Sequence, residues 1–317
     1  MGTDISPHLV VCGEALVDCF ATVERSQIVM RGVPGGSPFN LAVGLARLGR
    51  PVAFLGALSG DAFGRHLRDS LVAEGVSTDF VKRSDRPTPL SVVSTATDGT
   101  VDYSFRNHEA ADYDLDERDL PRDLPASVSC IAVGSYALAL EPTGTAIERF
   151  AAEHADRCVI SFDPNVRPGL IRDSAAWRSR FGRIAGFAGI VKVSAEDIAL
   201  AFGREADPRA LAREWRASGV PLVIVTRGAD PVLAFGAFGE IERPVEPVAV
   251  VDTVGAGDSF HAALLAFLDA ADRLSRSALQ SLEPTFAAAM LAYAASAARI
   301  TCGRRGADLP YAKELRG

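Results

Sequence analysis

Val251-Asp252-Thr253-Val254-Gly255-Ala256-Gly257-Asp258-Ser259-Phe260, followed by the apolar run from His261 to Leu268, reads as a strand, a glycine turn and a helix whose first turn carries a carboxylate. Gly255 and Gly257 let the backbone come close to a ligand, and the unpaired amides of a helix start make an anion site. An acid gains from the helix dipole there, which predicts a low pKa for Asp258, yet it would repel a phosphate already bound. The placement makes sense if Asp258 touches a hydroxyl that attacks the phosphate. The segment therefore points to phosphoryl transfer.

Upstream, Leu9 to Asp18 is an apolar strand ending on a carboxylate, and Gly35-Gly36-Ser37-Pro38-Phe39-Asn40 opens an alanine- and leucine-rich helix that stops near Gly49. Val52 to Gly56 is a buried strand, and Phe63 to Glu74 a helix closed by Gly75. Leu90 to Thr97, Asp98-Gly99 and Val101 to Phe105 form a strand, a turn and a strand. Further strands are expected at Cys130–Gly134, Val159–Asp163, Ile190–Val193, Leu222–Thr226 and Val248–Asp252, with helices between them. Such alternation predicts a three-layer α/β/α fold with a mainly parallel sheet. One hairpin amid βα units reads as an inserted lid, drawn from segments near 15–33 and 88–110, on a single large domain.

At 317 residues and a net charge of -7, the chain can bury a large core but lacks the clustered Lys and Arg that nucleic-acid phosphates require. Its five cysteines are scattered, odd in number and form no CxxC, the usage of a reducing compartment. Met1 to His8 has no basic flank followed by a long apolar segment, and no stretch approaches the roughly 20 apolar residues of a membrane span. Phe286 to Ala298 reads as a buried helix. A soluble cytoplasmic protein, with neither nucleic acid nor membrane as a partner, is expected. No Walker phosphate loop, dinucleotide fingerprint or nucleophile elbow is present, and the five histidines show no metal-ligand spacing.

In an open α/β sheet, ligands collect outside the carboxyl ends of the strands. Polar positions fall at five such ends: Asp18; Gly35-Gly36 with Asn40; Asp163-Pro164-Asn165-Val166-Arg167; Thr226-Arg227-Gly228; and Asp252 to Asp258. That coincidence points to one crevice. Taken singly, each has a plainer reading. Asp18 could cap a loop, Asn40 could cap or begin a helix, and Asp163-Pro164-Asn165 is a good turn. Arg167 could pair with a surface acid, Lys192 could snorkel from a strand end, and Cys302 is a small filler with no adjacent base.

Gly35 to Ala42 and Asp252 to Phe260 resemble the two signatures of the ribokinase-like (PfkB) carbohydrate kinases, in the family's order, and the likeness extends from Gly13 to Ala307. Within the family, the segment from Asp163 to Arg167 and the Cys302 segment are most similar to fructokinases. The resemblance implies transfer of the γ-phosphoryl of MgATP to a sugar hydroxyl. Asp258 then matches the base, and the backbone of Gly255, Ala256, Gly257 and Asp258 the anion hole. Arg167 is a candidate phosphate clamp. Asp18, Gly35, Gly36, Asn40 and Asn165 match sugar-binding positions, with Phe105 and Asn107 on the lid. Thr226, Gly228, Gly306 and Ala307 match the nucleotide wall, with Lys192 and Ser194 between. Mg²⁺ would sit on the phosphates largely through waters. The Asp252 region and the C-terminal loop match where many relatives bind K⁺.

Two departures stand out. Where the family often carries Asn-x-x-Glu, this chain has Ser194-Ala195-Glu196-Asp197, and register favours Asp197 over Glu196 as the water-mediated metal carboxylate. Fructokinases tend to carry an Arg two residues after a lid phenylalanine; here Asn107 has that spacing and Arg106 comes one position early, on the opposite strand face. A kinase for fructose is the leading expectation. The alternatives are a kinase for 2-keto-3-deoxygluconate or another furanose or keto sugar, or a non-catalytic sugar or nucleotide sensor. A lid hairpin with exposed edges makes a homodimer through the lid a candidate assembly.

Overall fold

A computed structural model describes residues 6–25, 27–95, 101–171 and 173–315. The turn expected at Asp98-Gly99 lies outside the described residues. In chain order the strands are β1 (Leu9–Cys12), β2 (Leu16–Glu24), β3 (Gln27–Gly35), β4 (Val52–Ser59), β5 (Ser77–Ser84), β6 (Leu90–Thr95) and β7 (Val101–Arg106). The second half adds β8 (Cys130–Gly134), β9 (Val159–Asp163), β10 (Ile190–Ser194), β11 (Leu222–Arg227), β12 (Asp230–Gly236) and β13 (Gly239–Arg243). The helices are α1 (Ser37–Arg47), α2 (Ala62–Ala73), α3 (Thr143–His154), α4 (Ser174–Phe187), α5 (Ala195–Phe202), α6 (Pro208–Ala217), α7 (Ala256–Ala270), α8 (Arg276–Leu279) and α9 (Pro284–Cys302).

Nine strands form the central sheet in the order β13-β12-β11-β10-β9-β8-β1-β4-β5. The strands from β11 to β5 in that order pair in parallel; β12 and β13 add an antiparallel edge. Parallel strands need cover on both faces, and their side chains are correspondingly apolar. One face buries Leu9, Phe54, Ile190 and Ile224 against α1, α7 and α9. The other buries Val10, Ile131, Phe162 and Val191 with residues of α3, α4, α5 and α6. The chain order reverses between β8 and β1, so the switch-point crevice opens beyond the ends of these two strands.

Two expected strands are corrected. Leu9 to Asp18 is two strands in two sheets: β1 stops at Cys12, and β2 leaves to join a small sheet of order β3-β2-β6-β7. Gly13 makes the break, with a φ of 150° and so close a contact that an added Cβ would lie 2.4 Å from Pro38 Cγ. Asp18 is therefore inside a strand of the small sheet. Val248–Asp252 is not a strand. Pro244 and Pro247 lack the N–H that a ladder requires, and the amides of Val251 and Asp252 donate instead to the Cys302 carbonyl. The sheet edge beside β11 is formed by the β12–β13 hairpin.

Helix α9 is long and apolar enough to cross a membrane by length and composition alone. Its Ala287, Met290, Leu291, Ala294 and Ala297 are buried in the same core as Phe260, Leu264 and Leu268 of α7. Burial is confined to one face, with 33% of the apolar stretch buried, so the expected buried helix is a partly buried one.

Candidate active site

Helix α7 begins at Gly255, whose φ of 77° is left-handed and whose added Cβ would lie 2.7 Å from Ala307 Cβ. Asp252 fixes this turn: one carboxylate oxygen accepts the Val254 amide at 3.1 Å and the other the Gly306 amide at 2.8 Å. Gly306 and Ala307 of the C-terminal loop are thereby held against Gly255. Among the described residues, no hydrogen-bond acceptor takes the amides of Gly257 and Asp258. Free amides at the start of a 15-residue helix are suited to an anion.

Asp258 projects from this first turn. Ser37 Oγ donates to one carboxylate oxygen at 2.6 Å, and Asn40 Nδ2 to the other at 2.8 Å. Both donors come from the start of α1, three residues apart and hence on one helix face. Burial raises the Asp258 pKa; the two hydrogen bonds and the Lys192 ammonium hold it down, and Asp163 adds to the rise. The direction is opposite to the low pKa expected, because desolvation is the largest influence on this carboxyl.

Beneath Asp258 the end of the sheet carries buried charge. Lys192 is 4% exposed, and its ammonium lies 2.6 Å from Asp163 Oδ2. It is therefore placed under the crevice floor rather than in a nucleotide wall, which corrects the expectation drawn for it. Asp163 Oδ1 is buried with no partner among the described residues. His261 Nε2 is 2.7 Å from Ser161 Oγ, and burial pushes the imidazole down to about 3, so it is neutral. Asp197 also turns inward, at 6% exposure. Its oxygens accept the Val166 amide at 2.7 Å, the Ser194 hydroxyl at 2.6 Å and the Ser194 amide at 3.2 Å, the last closing a capping box on α5. That corrects the choice of Asp197 as metal carboxylate. The neighbouring Glu196 is the exposed one.

Across the crevice stands the small sheet. Asp18 is half-buried in β2, so close to Gly35 that an added Cβ there would lie 2.2 Å from Asp18 Oδ2. Burial raises the Asp18 pKa, the Ser91 hydroxyl and the Arg167 guanidinium lower it, and the charge of Asp258 raises it again. Asp18, Arg167 and Asp258 therefore share one electrostatic space. Arg167 is exposed, donates to the neighbouring Val166 carbonyl at 3.0 Å, and has no acid within 4.0 Å among the described residues. Asn165 precedes it with a φ of 36°. Gly36 forms the N-cap of α1.

Phe105, on β7, packs against Tyr136 with ring centroids 5.7 Å apart. Asn107 is buried, and its amide donates at 3.2 Å to Asp112, an interior acid. Its expected contact with a substrate is not supported by this orientation, while Arg106 is exposed. On the far side, Ser194 and Thr226 end β10 and β11 side by side, and Gly228 turns into β12 with a φ of 62°.

Residues 6–314 match a family described as pfkB family carbohydrate kinase. The chain belongs to this family. It is 35% identical over 309 residues to a fructokinase of Salmonella typhimurium, covering 96% of this chain and 97% of that one. The fructokinase of Xylella fastidiosa, solved with bound ATP, superposes with a TM-score of 0.88 at 29% identity, over 97% of this chain and 96% of that one. The aminoimidazole riboside kinase of Salmonella enterica, solved with aminoimidazole riboside and an ATP analog, has a TM-score of 0.81 at 27% identity, over 97% and 98% of the two chains.

In this pfkB kinase the structure brings together Asp18, Gly35, Gly36, Asn40, Arg167 and the 255–258 turn, and it removes Lys192, Asp197 and Asn107 from the open crevice. Ser37 was missed as a site residue. Its spacing of three before Asn40 on a helix start was the available signal. His261 was missed because nothing in sequence links it to Ser161, 100 residues away.

Proposed function

We propose that this carbohydrate kinase is a fructokinase, transferring the γ-phosphoryl group of ATP to the 6-hydroxyl of fructose. The observation that carries the reading is Asp258, held by Ser37 and Asn40 beside two amides that lack an acceptor among the described residues and coupled electrostatically to Asp18. The sugar oxygen forms a bond to the γ-phosphorus, the bond from that phosphorus to the β–γ bridging oxygen breaks, and ADP leaves. The hydroxyl proton passes to Asp258. A pKa raised by burial brings the carboxylate closer to the demands of a base, although the loose transition state puts most of the catalysis into positioning and charge stabilisation. The amides of Gly257 and Asp258 stabilise the transferring oxygens, and Arg167, without an ion-pair partner among the described residues, clamps them from the other side.

Asp18 orients the sugar through its hydroxyls, and the small sheet acts as a lid that excludes water. A divalent cation would supply charge neutralisation at the phosphates. Mg²⁺ bound through waters fits the exposed Glu196, since no group of three His, Cys, Asp or Glu side chains among the described residues could hold a metal directly. A K⁺ site near Asp252 would rest on backbone carbonyls, because both Asp252 oxygens already accept amides. Ile28, Met30 and Val33 are exposed on β3, the edge of the small sheet, and a second copy of the chain docking there would cover them. Five free cysteines suit a cytoplasmic location.

Incubation with MgATP and fructose, 2-keto-3-deoxygluconate, ribose or aminoimidazole riboside, followed by ADP release and ³¹P NMR of the product, tests this reading. Fructose 6-phosphate is expected. ADP with another furanose and not with fructose would reassign the substrate; no ADP with any acceptor would point to a sensor.

A further inference from the structure

Lys192 occupies the middle of β10, a central strand, where a charged side chain is costly to bury. Along β10, Val191 and Val193 face one core while Ile190 faces the other, so alternation sends Lys192 toward the face covered by α7. There its ammonium pairs with Asp163 at 2.6 Å. It also lies against the first turn of α7, since a Cβ added to Gly257 would be 3.2 Å from Lys192 Nζ. Three acids, from three different elements, act on this one cation: Asp163 at the end of β9, Asp197 in α5 and Asp258 in α7. Phosphate-binding amides at a helix start gain from a positive charge placed behind them, and a carboxylate in the same turn gains as well.

We infer that Lys192 is a positioning residue for phosphoryl transfer: its buried ammonium backs the amides of Gly257 and Asp258 and steadies the ionised Asp258 from below, with Asp163 as its anchor. The inference rests on the reading of Asp258 as the base in a carbohydrate kinase, and it assigns Lys192 no contact with sugar or nucleotide. The groups facing Asp258 are Ser37 and Asn40 from α1, Lys192 from β10, Asp163 from β9 and, across the crevice, Asp18 from β2. His261, on α7 itself, is neutral and hydrogen bonded to Ser161.

The test follows the Asp258 carboxyl by ¹³C NMR, its resonance assigned by loss in Asp258→Asn, in the full chain without sugar. Lys192→Met removes the cation and should move the Asp258 titration up by about one pH unit; Asp163→Asn removes an acid, leaves the cation and should move it down. Lys192→Arg, which keeps the charge, should leave it near the wild-type position. A purely structural ion pair would leave kcat near the wild-type value in a folded Lys192→Met protein. In turnover, Lys192→Met should lower kcat about tenfold while KM for the sugar changes by less than about threefold. An Asp258 titration unmoved in both Lys192→Met and Asp163→Asn, or full kcat in Lys192→Met, would overturn the inference. Should Lys192→Met not fold, Lys192→Gln takes its place in both the titration and the turnover measurement. Should fructose prove inert with the wild-type protein, the NMR titrations still decide the role of Lys192, so the two failures are separable.

Discussion

The two walls of the crevice carry the same residue type in opposite settings. Asp258 stands on the framework: α7 is packed into the main core, and two side-chain donors and a buried ammonium surround its carboxylate. Asp18 stands on β2 of a four-stranded sheet whose outer strand, β3, leaves Ile28 71% exposed. One acid is fixed in place to within a hydrogen-bond length. The other is carried by an element with little core of its own. Proton transfer and charge stabilisation tolerate little misplacement, whereas substrate selection gains from a wall that can close. Under the proposed function, the contrast places chemistry on the framework and selection on the small sheet.

Removing each acid is the direct way to break that contrast. Asp258→Ala should lower kcat by about 10³-fold or more while ATP binding, followed by calorimetry, stays measurable. Activity close to wild type would remove Asp258 from the chemistry. Asp18→Ala should act mainly on recognition, raising KM for the sugar by about 10²-fold, a cost of about 2.7 kcal/mol, with a smaller change in kcat. If kcat carried most of the loss instead, both walls would share the chemistry. Arg167 acts electrostatically on Asp18. Arg167→Ala should lower kcat about tenfold, more than it raises KM for the sugar, because a guanidinium clamp acts on the transferring group. A loss confined to sugar KM would move Arg167 to the selection side.

Legibility in the sequence follows the same division. The α7 segment could be read because turn glycines, a helix start and a first-turn acid are contiguous, and local backbone chemistry dictates their geometry. The strands from β8 to β11 were equally readable, being continuous apolar runs between helices. Three kinds of feature were not. The split of Leu9 to Asp18 depends on Pro38 meeting Gly13, a contact between residues 25 positions apart that no local pattern records. Lys192 and Asp197 were assigned to the crevice because strand ends and helix starts face ligands on average; only the packed structure shows Asp163 and the Val166 amide claiming them first. Val248–Asp252 misled because its valines suit a strand while Pro244 and Pro247, just upstream, deny it a ladder.

The joint between the two walls offers a smaller and more selective test. Glu14 follows Gly13 at the point where the chain leaves the main sheet for the small one. It is buried, accepts from Ser135 Oγ at 2.6 Å and from the Ala137 amide at 3.3 Å, and has no cation partner among the described residues. Burial pushes Glu14 up from 4.5 to about 7, and burial likewise raises Asp112, beyond the small sheet, from 3.8 to about 7. Between these limits the folded chain binds more protons than the unfolded one, so each acid makes stability fall as pH rises, by up to about 1.4 kcal/mol per pH unit. His261 works in the other direction: lowered from 6.5 to about 3, it makes stability rise with pH over that interval. Urea unfolding midpoints measured from about pH 5 to pH 7 should therefore fall with pH in the wild type, less steeply in Glu14→Gln, and more steeply in His261→Gln. An unchanged slope in Glu14→Gln would mean that water reaches the joint, and that the small sheet is less firmly rooted on the framework than the burial of Glu14 indicates.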